Sequence, residues 1–250
     1  LDVGTQYLKR TDEANTALAF VSLTKDGERD FSFYRKPSAD MLYQTEAVAG
    51  IDVMENDVLH FCSVDLVESP MKYAHKALID KVKVAGGTVV FDPNVRLPLW
   101  DSEDACKEAI QSFIPLANIV KISDEELTFV TGQSDEVQAI QWLFQGDVEA
   151  VIYTKGAGGA MIYLKDGTVI RHQGFKVQPI DTTGAGDAFI GALISRIVTS
   201  NTNDINQLLK NEGQSILEFS NYVAAMVTTK YGAIESIPNL SEVNKALNKQ

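Results

Sequence analysis

Short apolar runs, separated by stretches with helical periodicity, constrain this chain most. They are Val58-Leu59-His60-Phe61-Cys62-Ser63-Val64, Thr88-Val89-Val90-Phe91-Asp92, Ile119-Val120-Lys121-Ile122 and Ala150-Val151-Ile152-Tyr153-Thr154. Near-continuous runs of this length read as strands buried on both faces. Between them the pattern predicts helices. One opens at Ser69-Pro70 and stops at Gly86-Gly87, and one lies around Ser102–Leu116. Ser123 caps another over Asp124–Thr131, and a fourth spans about Ser134–Phe144. Ser at a cap, Pro in a first turn and Gly past an end are ordinary helix punctuation. Strand and helix in alternation imply an α/β fold, with a doubly wound, mostly parallel sheet and helices on both faces.

The flanks differ. Gly159–Leu164 and Thr168–His172 pair through Lys165-Asp166-Gly167 as an antiparallel hairpin at one side of the sheet. A helix follows from Gly184, then a long one over about Glu212–Lys230, then a last one from Ser241. Near the start, Ala17–Leu23 and Asp30–Arg35 alternate as strands around the turn Lys25-Asp26-Gly27-Glu28. This hairpin, about 16–36, is either a projecting lid or an edge of the main sheet. With no internal repeat and no linker, residues 1–250 are expected to form one domain plus that small β lid.

In a doubly wound sheet, ligands bind beyond the carboxyl ends of the strands, so the residues just after each strand matter. After Phe91 comes Asp92-Pro93-Asn94-Val95-Arg96. Asp-Pro-Asn is good turn chemistry, but a guanidinium at a strand end can also clamp a phosphate or sugar hydroxyls. After Ile122 comes Ser123-Asp124-Glu125-Glu126, which by itself reads as a capping box. After Tyr153 comes Thr154-Lys155-Gly156-Ala157-Gly158-Gly159, glycine-rich but without the Gly-Lys-Ser/Thr of a P-loop.

The most informative stretch is Asp181-Thr-Thr-Gly-Ala-Gly-Asp-Ala-Phe-Ile-Gly-Ala-Leu-Ile194. Gly184-Ala185-Gly186 forms a tight turn that opens a helix. Its unpaired backbone N–H groups and the helix dipole make an anion site. Asp187, a carboxylate inside an anion site, is explained if it takes the proton from a nucleophile attacking a phosphoryl group.

This stretch resembles the C-terminal signature of the ribokinase-like (PfkB-type) carbohydrate kinases, and the order of the other motifs matches along essentially the whole chain. Asp92–Arg96, continued through Leu97-Pro98-Leu99-Trp100, resembles the fructokinase branch. The resemblance implies that Asp187 is the catalytic base. It implies that Gly184, Ala185 and Gly186 hold the transferring phosphoryl group and that Arg96 helps neutralise it. Arg35 on the lid, with Asp92 and Asn94, would contact the sugar. Glu126 would organise Mg²⁺ and its waters, with Ser123 in place of the family's Asn. Thr154, Gly156 and Gly159 would form the nucleotide loop. Asn221, Ala224 and Ala225, in Phe219-Ser-Asn-Tyr-Val-Ala-Ala225, would line the adenine pocket, although small residues at this spacing also serve plain helix packing. The family also binds a monovalent cation such as K⁺. Here Asp181 and Thr183 would contribute, with Ser236 and carbonyls near Val227, Lys230 and Gly232.

The family's first strand and its early Gly-Gly-x-x-x-Asn segment are not found in this sequence, which begins at Leu1. An N-terminally incomplete kinase domain is therefore expected. The expected activity is ATP-dependent phosphorylation of a sugar primary hydroxyl, foremost that of fructose. A kinase for another sugar or a nucleoside, or a nucleotide-binding remnant, are the alternatives. A homodimer through the lid is one option for assembly. A formal net charge of −12 argues against nucleic acid and anionic membrane surfaces as partners. No apolar run is long enough to span a bilayer and no signal peptide is visible. Cys62 and Cys106 are scattered, which suggests reduced thiols in a cytoplasmic protein. His60, His75 and His172 are expected to be structural or surface residues.

Overall fold

The computed structural model describes residues 3–23, 29–200, 202 and 204–248. The expected turn Lys25–Glu28 lies outside them. The chain divides into two compact units, Leu1–Phe113 and Ile114–Gln250.

In the first unit, β1 (Leu18–Leu23) and β2 (Arg29–Tyr34) pair antiparallel, with Leu18 opposite Tyr34 and Phe20 opposite Ser32. They form a two-stranded sheet of their own, so the hairpin is not an edge of the main sheet. Leu18, Phe20, Val21 and Tyr34 are exposed, and the Phe20 and Tyr34 rings meet edge to face at 5.6 Å. Helix α1 is a single turn, Thr45–Val48. Then β3 (Val58–Cys62), α2 (Pro70–Ala85) and β4 (Thr88–Asp92) make a βαβ unit whose strands are parallel, with Phe61 opposite Phe91. Helix α3 (Glu103–Phe113) closes the unit.

The core of this unit is aromatic. Phe61 stacks on Phe91 at 4.7 Å, and Phe113 meets Phe61 edge-on at 6.0 Å. Each such buried side chain contributes roughly 1.5–3 kcal/mol of transfer free energy. Gly86 ends α2 with φ 81°, the left-handed cap expected there. Two local expectations change. Strand β3 ends at Cys62 because the Ser63 N–H donates to the Pro93 carbonyl (3.0 Å) and a 3-10 turn, Ser63–Leu66, begins. Ser69 precedes α2, but its hydroxyl donates to the Val67 carbonyl (2.9 Å) instead of capping the helix.

In the second unit, β5 (Ile119–Ser123) leads to α4 (Asp124–Thr131) and α5 (Glu136–Trp142), then to β6 (Ala150–Thr154) parallel to β5. β7 (Ala160–Leu164) and β8 (Val169–His172) continue the sheet antiparallel, as the hairpin pattern predicts. Then come α6 (Ala185–Val198), α7 (Ile205–Val227) and α8 (Leu240–Leu247). Helix α7 begins at Ile205, well before the expected Glu212, because the Asp204 carboxylate accepts from the Gln207 N–H (2.9 Å) and caps it. It packs against β7, β8 and α6. Gly213 permits that approach: a Cβ there would fall 2.7 Å from Ile170 Cδ1. Cys62 and Cys106 are free thiols. Among the described residues, no helix is long and apolar enough to cross a membrane.

Candidate active site

The signature turn is built where the sequence places it. Gly184 precedes α6 with φ 77°, a conformation that other residues adopt only with strain. The position is also crowded, since a Cβ on Gly184 would lie 2.8 Å from the Ala233 Cβ. The first helical bond runs from the Ala188 N–H to the Gly184 carbonyl (2.8 Å), and the Ala185 N–H donates to the Thr182 carbonyl (3.3 Å). Ala185 therefore spends its amide inside the turn. The amides of Gly184, Gly186 and Asp187 donate no hydrogen bond among the described residues. Asp187 is exposed in the first turn of α6, and Ala188 and Phe189 behind it are buried.

Beside this turn lies a cavity of about 660 Å³. Ala185 and Gly186 line it, and so do Ser123, Thr154, Gly156, Gly159, Asn221, Ala224 and Ala225. These last are the residues assigned from sequence to the nucleotide, and they come from β5, β6, the glycine loop and α7. The loop owes its shape to close backbone contact. Gly159 has φ 88°, and a Cβ there would fall 2.2 Å from the His172 carbonyl oxygen. Gly156 also has positive φ, 49°, but faces open space. At the loop's start, Lys155 Nζ bonds the Glu136 carboxylate (2.7 Å), which also accepts from the Tyr153 hydroxyl (3.0 Å). The Lys155 bond holds Glu136 below the usual carboxylate range, while burial and Glu136 push the Tyr153 phenol up.

The proposed metal-side residues occupy two places. Ser123 donates both its N–H (3.1 Å) and its hydroxyl (2.8 Å) to Glu126 Oε2, so Glu126 closes the capping box of α4. Asp181 braces the turn against the loop after α7. Its carboxylate accepts from the Thr183 N–H (2.9 Å), the Thr183 hydroxyl (2.6 Å) and the Gly232 N–H (3.2 Å). Ser236 donates to the carbonyls of Tyr231 (3.0 Å) and Gly232 (2.5 Å) in the same loop.

The remaining candidates belong to the first unit. Asp92 is buried at the end of β4, opposite Cys62. Asn94 has φ 43° and reaches toward Cys62 Sγ at 4.0 Å. Arg96 precedes the 3-10 turn Leu97–Leu99, and its Nη1 donates to the Val95 carbonyl (2.8 Å). Arg35 follows β2. Its guanidinium bonds the Asp40 carboxylate (Nε 2.7 Å, Nη2 2.6 Å) and the Val64 carbonyl (2.6 Å). His75 packs edge-on against Phe61 with its Nε2 3.3 Å from the Asp65 carboxylate, and burial lowers its pKa to about 4.

Sequence reasoning missed Lys121. It is only 6% exposed on β5 and lines the cavity, and a Cβ on Gly186 would lie 3.7 Å from its Nζ. The Lys121 amine therefore sits beside the anion turn. The signal was a lysine inside the otherwise apolar run Ile119–Ile122, because lysine is rarely buried without a task. Phe175, another wall of the cavity, left no such trace in the pattern.

Comparison with known proteins adds the family. The model for "pfkB family carbohydrate kinase" matches residues 1–240. Fructokinase-2 of Solanum lycopersicum is 42% identical over 236 residues, covering 92% of this chain and 69% of that protein. Among solved structures, the Vibrio cholerae O395 fructokinase with fructose, ADP and calcium bound superposes with a TM-score of 0.86. It is 32% identical, over 96% of this chain and 76% of that one. The Salmonella enterica aminoimidazole riboside kinase, complexed with its riboside and an ATP analog, gives a TM-score of 0.83 at 27% identity, covering 97% and 76%. The α/β fold expected from the strand and helix alternation, and the ribokinase-like fold that the signature's resemblance implies, agree with these neighbours.

Proposed function

The chain belongs to the pfkB family of carbohydrate kinases, and we propose that it transfers the γ-phosphoryl group of ATP to a primary hydroxyl of a sugar, foremost fructose. The observation that carries this reading is the convergence of Ser123, Thr154, Gly156, Gly159, Asn221, Ala224 and Ala225 on one cavity beside Gly186. Both units are assigned to one kinase domain, with β1 and β2 as its lid.

In this reading Asp187 takes the proton from the sugar hydroxyl. The oxygen attacks the γ-phosphorus, the bond to the β–γ bridging oxygen breaks, and ADP leaves. The amides of Gly184, Gly186 and Asp187 and the ammonium of Lys121 stabilise the charge that spreads over the phosphoryl oxygens. On the resemblance of their motifs, Arg35, Asp92 and Asn94 are assigned to the sugar and Arg96 to the phosphoryl group. Glu126 suits an indirect hold on Mg²⁺, since a carboxylate has acceptor capacity beyond the two bonds from Ser123 and this ion keeps several waters. Mg²⁺, when bound, neutralises phosphate charge. The oxygens of Asp181, Thr183 and Ser236, with the carbonyl of Gly232, are a donor set suited to a hard cation such as K⁺. The two free thiols suit a cytoplasmic location. The exposed Leu18, Phe20 and Tyr34 of the lid suit a homodimer contact.

The test is ADP release by the complete protein over fructose, glucose, ribose and a nucleoside. Turnover is expected to be highest with fructose. A higher rate on the nucleoside would reassign the substrate. ATP binding without turnover of any of them would overturn the kinase reading.

A further inference from the structure

The geometry points to His172 as the positioning residue that sets which base the nucleotide cavity accepts, by holding the Asn221 amide with its oxygen left for the ligand. The inference rests on the reading of that cavity as a nucleotide site.

Asn221 is 7% exposed on α7 and lines the cavity together with Phe175. Its Nδ2 lies 3.1 Å from His172 Nδ1. An amide nitrogen only donates, so Nδ1 must be the acceptor and the imidazole proton must sit on Nε2. The Asn221 oxygen accepts no hydrogen bond among the described residues. The amide is therefore polarised: its nitrogen is tied to β8, and its oxygen is the atom available to a ligand.

The surroundings hold this arrangement. The His172 ring lies 5.4 Å from the Phe175 ring, and Tyr222, next to Asn221, meets Phe175 edge-on at 5.3 Å. His172 is also fixed through its backbone, since it pairs with Ala160 in the sheet.

Position along α7 assigns the base end. The Thr228 carbonyl accepts from the Ile180 N–H (2.7 Å) and the Asp181 N–H (3.2 Å), so that end of the cavity adjoins the signature turn. Asn221 lies two helical turns earlier, roughly 10 Å away at 1.5 Å per residue. That separation suits phosphates at the turn and a base at Asn221. Adenine presents an amino donor on its six-membered ring where guanine presents a carbonyl acceptor. An acceptor oxygen favours the first and leaves the second unpaired, and a buried polar mismatch discriminates strongly.

The experiment measures ADP and GDP dissociation constants by calorimetry on the complete protein, for wild type, His172→Phe and Asn221→Asp, alongside melting curves. Wild type is expected to prefer ADP at least about tenfold, because its cavity offers an oxygen at the base. His172→Phe removes the acceptor and lets the amide turn, so the preference should fall toward parity. Asn221→Asp offers only acceptors and should retain it. A ¹⁵N spectrum of the ligand-free wild type should show His172 Nδ1 unprotonated and Nε2 protonated, which tests the tautomer even if His172→Phe fails to fold. A folded His172→Phe protein with the wild-type preference, or a protonated Nδ1 in neutral His172, overturns the inference while leaving the kinase reading standing. A wild-type protein that binds neither nucleotide would overturn the nucleotide reading itself, and this inference with it.

Discussion

The turn at Gly184–Asp187 and the segment Asp92–Arg96 both follow a buried strand or precede a helix with polar residues, yet they are built by different means. The turn is made of backbone. Positive φ and the closeness of Ala233 require Gly184, and the amides of Gly184, Gly186 and Asp187 donate no hydrogen bond among the described residues. The arginine segment, with Arg35, is made of side chains that bond within their own unit: Arg96 to the Val95 carbonyl, Arg35 to Asp40 and Val64. A backbone site is preorganised by the fold. A site of long side chains must exchange existing bonds for those to a ligand. Substitutions in the second unit should therefore cost more than those in the first.

The largest effect is expected at Asp187. Asp187→Asn keeps the turn and removes the base, so kcat should fall by about 10²–10⁴ while ATP affinity changes little. Near-normal turnover would remove the base assignment. Lys121→Met keeps the length of the side chain and deletes the charge beside Gly186. Steady-state kinetics should show kcat down by about 10²–10³, the cost of one preorganised charge-stabilising group. An unchanged kcat would make Lys121 a packing residue.

The two loop glycines separate conformation from crowding. Gly159→Ala adds a Cβ where the His172 carbonyl already stands, so it should destabilise by about 1–3 kcal/mol or more, read from denaturant midpoints. Gly156→Ala meets nothing and should cost only the left-handed penalty, about 1–2 kcal/mol. Equal losses would show that the close backbone contact does not matter. The smallest effect is expected in the arginine segment. Arg96→Lys keeps the charge and loses the planar fork, so kcat should fall about tenfold with a modest change in ATP KM. A rise in sugar KM alone would move Arg96 to the sugar, and a lower melting temperature alone would leave it a turn residue.

The same contrast explains what the sequence made legible. Gly184, Gly156 and Gly159 announce themselves because few residues tolerate their conformations, and Asp187 stands out against the anion turn. Strands β4, β5 and β6 were readable as short apolar runs, because burial on both faces leaves no polar alternation. The start of α7 was misread because Asp204 and Gln207 cap it over a polar stretch. Pairs distant in sequence left no local pattern: Arg35 with Val64, and His172 with Asn221, depend on how the chain folds back. Lys121 was visible as a break in an apolar run, but only the fold brings it to Gly186.

The central claim is that the turn receives the transferring phosphoryl group. Amide hydrogen exchange on the complete protein, with ADP, fluoroaluminate and fructose compared with ADP alone, tests it directly. Fluoroaluminate mimics the phosphoryl group in flight. The account predicts added protection at the Gly186 and Asp187 amides when the mimic and sugar are present. Protection confined to 154–159 and 221–225, with 184–187 exchanging as in ADP alone, would contradict it.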